Sequence, residues 1–389
     1  MKHTQKLLFI VCFILVLGFI YYSSWKLHLY VWGQTPQRIE EETTVVLTEV
    51  KRITELKTDN NVGRIVGTPV YDTQGFSLNL DKKLPPELAY KYDNLSEGEC
   101  KPGYAAAKMT NIYPKFIKPA PMFLDQNFRR LGKVNSYLPP FGFRTQERII
   151  DSILTATKYY GLGKELDSLR CKRCIIVGNG GILSNKSLGS RIDDYDVIVR
   201  LNEAPITGYV KDVGTKTTMR ITYPEGAFQK AELYEKNSLF VFSAFKPLDF
   251  KWLRQMVFKE NLRGTQGFWK PVARKLPREP KEIRILNPFF IQEAAFQFIG
   301  LPLNHGLMGK GNIPTLGTVA ITMALHNCDE VAVAGFGYDM STPYAPLHYY
   351  ENVKMSAIKE SWTHNISKEK EFLRKLVKAN VITDLTHGI

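Results

Sequence analysis

Two histidines near the carboxyl terminus, His348 and His364, are each followed by an acid, Glu351 and Glu369. Imidazole is the side chain that exchanges protons near neutral pH, so the pair is the first place to look for acid–base chemistry. Upstream, an apolar run ends in Gly178-Asn179-Gly180-Gly181 and a second ends at Asn202. Glycines after a strand let backbone approach a phosphate, and an Asn amide donates hydrogen bonds to its oxygens. The fit to a dinucleotide fingerprint is poor, because Leu183 stands where the third glycine belongs, so a mononucleotide suits this turn better. A further piece, Pro314-Thr315-Leu316-Gly317-Thr318, opens a helical run whose free amides and positive end suit an anionic or polar ligand. Gly335-Phe336-Gly337 closes the set after another apolar run.

The segments that must carry these residues alternate between strand and helix. Residues 175–177, 197–201, 239–244, 283–286 and 331–334 read as buried parallel strands, and 250–258, 291–298 and 318–327 as helices between some of them. Ile149, Ile150, Ile153, Leu154 and Thr157 share one face of a helix that begins near Thr145 and stops near Gly161. The order predicts an α/β fold with a mostly parallel central sheet flanked by helices. In such sheets ligands sit beyond the carboxyl ends of the strands, where the Asn and Gly turns fall. Before Thr145, prolines at 85, 86, 102, 114, 119, 121, 139 and 140 punctuate a stretch read as irregular.

At the other end, residues 7–28 form an apolar and aromatic span preceded by Lys2, His3 and Lys6, long enough for a thin bilayer. Positive charge ahead of it keeps residues 1–6 cytosolic and sends the rest to the lumen. Bulky Tyr21, Tyr22 and Trp25 occupy the place where a signal-peptide cleavage site would need small residues, so the span reads as a retained signal anchor. Residues 29–84 then form a stem, its 43–56 stretch partly helical, and 85–389 a single lumenal domain. The formal charge of +14 on 389 residues suits an anionic partner, although scattered surface Lys and Arg would give the same sum, so charge alone decides nothing. A membrane-anchored lumenal domain does not meet genomic DNA or cytosolic RNA, so that partner is an acidic small substrate rather than nucleic acid. Sequons at Asn94, Asn185 and Asn365 fit the same compartment, with Asn94 and Asn185 the candidates for glycosylation.

Cys12 falls in the span. The other four cysteines allow three pairings in an oxidising lumen. Cys174 starts one buried strand and Cys328 precedes another. Adjacent strands lie about 4.8 Å apart, within reach of a disulfide, so Cys174–Cys328 is expected at the sheet end opposite the ligand, leaving Cys100–Cys171.

In this order, the 174–202 stretch, the 314–318 turn, His348-Tyr349-Tyr350-Glu351 and His364-Asn365-Ile366-Ser367-Lys368-Glu369 resemble the long, short, third and very-short motifs of the animal-type sialyltransferases. The resemblance runs from about Leu169 to the C-terminus. Stretches such as GNGGILSNKSLGSRIDDYD, RITYPEGA and GFGYDMSTPYAPLHYYE are most like the branch acting on the β-galactose of N-acetyllactosamine. It implies a GT-A-like catalytic domain on a type II anchor in the Golgi membrane. The donor would be CMP-sialic acid, the acceptor the 3-hydroxyl of a terminal β-galactose on glycoproteins or glycolipids, and the reaction inverting. His364 would be the general base and His348 the hydrogen-bond partner of the departing phosphate. Asn179, Asn202, Thr315, Gly317, Gly335, Phe336 and Gly337 would hold the nucleotide, with Glu369 supporting His364 and Tyr349 divided between packing and contact. Leu316 departs from the small hydroxyl residue usual in the short motif, which leaves Thr315 and the Gly317 amide for the donor. A glycan on Asn365 would obstruct the base, so that sequon is expected to stay bare. Homodimers are compatible with this family reading.

Asp194-Tyr195-Asp196 matches the metal-binding Asp-x-Asp of other glycosyltransferases, but it precedes its strand and so falls away from the crevice. The donor's single phosphate also needs little neutralisation, so no metal or other cofactor is expected. A lumenal carbohydrate sulfotransferase would need a phosphate loop, and Gly214-Thr215-Lys216-Thr217-Thr218 lacks the glycine before its lysine. The remaining alternative is a non-catalytic sugar-binding protein on the same scaffold.

Overall fold

A computed structural model describes residues 99–116, 120–261, 264, 266–303, 311–360 and 363–389. The predicted span 7–28, the stem 29–84, Cys12 and Asn94 lie outside them. Among the described residues no helix is long and apolar enough to cross a membrane.

Seven strands form one sheet: β1 (Arg173–Val177), β2 (Val197–Leu201), β3 (Met219–Thr222), β4 (Leu239–Phe242), β5 (Ile283–Ile285), β6 (Glu330–Ala334) and β7 (Ile382–Asp384). Their order is β5-β4-β3-β2-β1-β6-β7, and every pairing is parallel. Cys174 lies opposite Val197 on one side and Val331 on the other. Because side chains alternate across a strand, Cys174 and Ile176 enter the larger core, while Ile175 and Val177 enter a second core beneath the other face. A sheet covered on both faces explains why β2 is buried at all five positions.

Among the described residues five longer helices accompany the sheet: α1 (Tyr104–Ile112), α2 (Glu147–Thr157), α3 (Pro247–Val257), α4 (Leu316–Asn327) and α5 (Ile366–Lys378). α2 buries Ile150, Ile153, Leu154 and Thr157 and ends at Lys158, whose φ of 61° is left-handed. α4 differs in kind. Its residues Leu316 through Leu325 are all buried, so it shows no polar stripe and runs through the core rather than over it. α5 is amphipathic, with Phe372, Leu373 and Leu376 turned inward.

The structure corrects the reading at several places. Among the described residues regular structure begins at α1, inside the proline-rich stretch, where Gly103 and Ala105 amides donate to the side chain and carbonyl of Asp329. β3 and β7 are strands that the pattern did not announce. The 291–298 helix consists of a short α turn, Phe289–Gln292, continuing as a π-helical stretch, Glu293–Phe298. Both expected cysteine pairs are bridged, Cys100–Cys171 and Cys174–Cys328, each with Cα atoms 6.0 Å apart.

The chain adds β2 to β5 outward on one side of β1, then returns to its other side for β6 and β7. The crevice at such a reversal lies between β1 and β6. Asn202 flanks that crevice from the tip of β2.

Candidate active site

The turns after β1 and β6 interlock. Gly178 and Gly180 amides donate to the carbonyls of Ala334 and Gly335 at 2.7 and 3.0 Å. Gly335 has φ of 79°, and a Cβ there would stand 2.4 Å from Leu183. No side chain other than hydrogen fits without strain. Asn202 follows β2 with φ of 51°. Its carbonyl and that of Ala204 accept from the buried Arg220 guanidinium of β3 at 2.7 and 3.0 Å, and Glu235 neutralises that arginine. Charge-assisted bonds of this kind contribute about 1.5–3 kcal/mol each, which fixes the turn presenting Asn202.

Beyond these tips lies a cavity of about 360 Å³. Asn179, Asn202, Thr315, Gly317, Gly335, Phe336, Gly337, His348, His364 and Glu369 all line it. Tyr349 does not: its ring packs edge-on against Tyr209, 5.0 Å away, and its hydroxyl donates to the Pro205 carbonyl at 2.6 Å. The neighbouring Tyr350 faces the cavity instead. Phe336 lies so close to the start of α4 that a Cβ on Gly317 would meet its ring at 2.7 Å. Asn179 Oδ1 is buried with no hydrogen-bond partner. An orphaned acceptor costs about 1–3 kcal/mol, and a ligand hydroxyl or amine at that point would relieve it.

The two histidines are held by different partners. His364 Nδ1 stands 2.8 Å from the Ile313 carbonyl. A carbonyl only accepts, so Nδ1 carries the proton and Nε2 keeps its lone pair. His348 Nδ1 pairs with the Glu351 carboxylate, and its ring stacks on Tyr350 at 5.4 Å. The segment bearing His348 is pinned to the β1 turn, with Gly181 N donating to Leu347 O and Tyr349 N to Asn179 O at 3.0 and 3.1 Å.

Glu369 anchors the entry of α4 as well as interacting electrostatically with His364. It makes its hydrogen bonds to the entry of α4: Thr315 N at 2.9 Å, and the hydroxyls of Thr315 and Thr318 both at 2.5 Å. Thr315 also caps α4 by accepting from Thr318 N at 3.3 Å. The Thr315 hydroxyl is therefore engaged within the protein, and Glu369 reaches His364 through space. Burial raises the Glu369 carboxyl above its ordinary range, opposed by His364 and the threonine bonds. A carboxyl that holds its proton more tightly folded than unfolded favours the folded state at low pH, and that contribution is lost as pH rises through the raised value. Thermal unfolding of wild type and Glu369→Gln should accordingly show the difference moving against wild type as pH climbs from the ordinary 4.5 toward neutrality. A pH-independent difference rules this out.

Three other predicted features receive physical assignments. Asp194 and Asp196 bond Arg173 at the amino ends of β1 and β2, away from the cavity. The Gly214–Thr218 loop binds an anion of its own chain, since Thr215 and Lys216 amides both donate to Asp193 at 2.9 Å. Asn365 caps α5 by accepting from Lys368 N at 3.1 Å, whereas Asn185 is exposed. Sequence reasoning missed Tyr223, Glu203 and Lys270 on the far wall, and the Ile313 carbonyl behind His364. Tyr223 lay within a quoted motif; the others carried no signal.

Comparison with known proteins follows the same lines. Residues 123–381 match the family model described as Glycosyltransferase family 29 (sialyltransferase). A Homo sapiens protein named CMP-N-acetylneuraminate-beta-1,4-galactoside alpha-2,3-sialyltransferase is 63% identical over 385 residues, 99% of this chain and 98% of the relative. A Rattus norvegicus lactosylceramide alpha-2,3-sialyltransferase is 43% identical over 296 residues, 75% of this chain and 76% of the relative. The crystal structure of a mammalian sialyltransferase in complex with Gal-beta-1-3GalNAc-ortho-nitrophenol shares the fold, with a TM-score of 0.50 at 22% identity, covering 83% of this chain and 99% of that one.

Proposed function

Because the chain belongs to the sialyltransferases of glycosyltransferase family 29, we propose that its cavity transfers sialic acid from CMP-N-acetylneuraminate to the 3-hydroxyl of a terminal β-galactose. The donor, acceptor and linkage are those in the name of the relative at 63% identity. The observation that carries the mechanism is the unlike pair of histidine partners. With Nδ1 donating to the Ile313 carbonyl, His364 offers Nε2 as the base that takes the galactose 3-hydroxyl proton. The oxygen attacks the anomeric carbon from the face opposite the phosphate, and the bond to CMP breaks with inversion. The Glu351 carboxylate holds the His348 ring by Nδ1, which orients its other edge to hydrogen-bond the phosphate as charge develops. Asn179 and Asn202 hold the phosphate and ribose, and Phe336 with the α4 entry borders the base.

Nothing in this scheme uses a metal, and the enzyme works in the Golgi lumen on a membrane anchor supplied by residues 7–28. Incubating the fragment from about Leu84 onward with CMP-sialic acid, EDTA and a panel of galactosides tests it. The expected product is cleaved by an α-2,3-selective sialidase. A different linkage overturns the acceptor assignment, and activity abolished by EDTA and restored by manganese overturns the metal-free mechanism.

A further inference from the structure

Away from the nucleotide turns, the cavity wall becomes an aromatic ledge. Tyr223 follows β3 and Phe245 lies just beyond β4, and their rings meet edge-on at 4.7 Å. Tyr223 in turn contacts Trp269, ring centroids 6.4 Å apart. Tyr223 and Phe245 line the cavity, yet Trp269 is 68% exposed. Lys270 Nζ lies 5.6 Å from the Trp269 centroid and 2.8 Å from Glu203, and both charged groups line the cavity. The segment is fastened behind the ledge: Gln229 donates to the Pro271 carbonyl and the buried Trp252 indole to that of Ala273, at 2.9 and 2.8 Å. A Trp held in place with its ring in water, continuous with a ligand cavity, marks a contact surface.

Position says what touches it. β3 and β4 lie two and three strands from β1, so at about 4.8 Å per strand the ledge begins roughly 10–14 Å from the Gly178 turn. The residues assigned to the nucleotide lie instead at the ends of β1, β2 and β6, at the entry of α4 and at His348. The acceptor glycan, fixed to a carrier too large for the cavity, must leave through its mouth. Its second sugar is the part that meets an exposed ring. A pyranose has an apolar C–H face that lies on an indole, and hydroxyls at its edge that bond a carboxylate and an ammonium. We propose that Trp269 is the platform for the sugar next to the terminal galactose, with Lys270 and Glu203 taking its hydroxyls. This rests on the sialyltransferase reading and deepens it: Trp269 sets acceptor preference, acting on the residue beyond the one that reacts.

The test compares N-acetyllactosamine with methyl β-galactoside as acceptors for wild type, Trp269→Ala and Trp269→Phe. With Trp269→Ala, the ratio of kcat/KM for the disaccharide over the monosaccharide should fall about tenfold, as expected for one lost stacking contact, and through KM rather than kcat. Trp269→Phe should recover part of the ratio. Thermal unfolding of both variants should match wild type, since the ring is exposed. An unchanged ratio overturns the assignment, and a rise confined to the KM for CMP-sialic acid overturns it and places the donor there instead. Wild-type protein that transfers sialic acid to neither acceptor removes the parent reading and this inference together.

Discussion

Replacing His364 with alanine is expected to lower sialyl transfer by about 10²–10⁴-fold while CMP still binds. The reason is geometric. His364 is oriented from the Ile313 carbonyl, on the segment leading into α4, whereas the nucleotide turns are held by β1, β6 and the His348 segment. Removing the imidazole thus takes away the proton acceptor and leaves the donor's cradle as it was. Isothermal titration with CMP and a radiochemical transfer assay check the two halves. Unchanged turnover removes His364 from the mechanism. Loss of CMP binding as well would mean that the ring holds the cavity together rather than acting on the acceptor.

The second large effect concerns stability. A double Cys174→Ala, Cys328→Ala variant should lose about 2–5 kcal/mol, because the bridge closes a loop with a sequence separation of 154 residues. Cys174 and Cys328 are both buried, so removing only one would leave the other as a trapped free thiol. Chemical denaturation followed by tryptophan fluorescence measures the loss. The Cys100–Cys171 bridge is expected to matter less, its separation being 71. A double variant as stable as wild type would mean that the β1–β6 pairing alone fixes that end of the sheet.

Much of this arrangement was legible where residue type and structure agree. Val197, Ile198, Val199 and Leu201 announce β2, and β-branched runs likewise mark β1 and β6. β3 was hidden because Arg220 interrupts it. The guanidinium is tolerated only because Glu235 and two carbonyls reach it from elsewhere in the chain. α1 was hidden by its setting among prolines, and β7 by having Ile382 as its one apolar residue. In the cavity, Gly, Asn and His were visible as types that bind anions or move protons. The Glu369 clamp was not, since its partners lie 51 and 54 positions away and two of them are ordinary threonines. Nor does any side-chain pattern disclose that a backbone carbonyl selects the tautomer of His364.

One helix ties these observations to each other. α4 is a strut of twelve residues, about 18 Å long, with its leading end in the wall of the cavity and its trailing end next to Cys328. Ala320 and Ala324, wholly enclosed along its length, leave no slack for a larger side chain. A larger side chain there would touch no ligand, yet it would displace Thr315 and Gly317 at the head of the helix. Damage to this enzyme can therefore begin well outside its catalytic pocket.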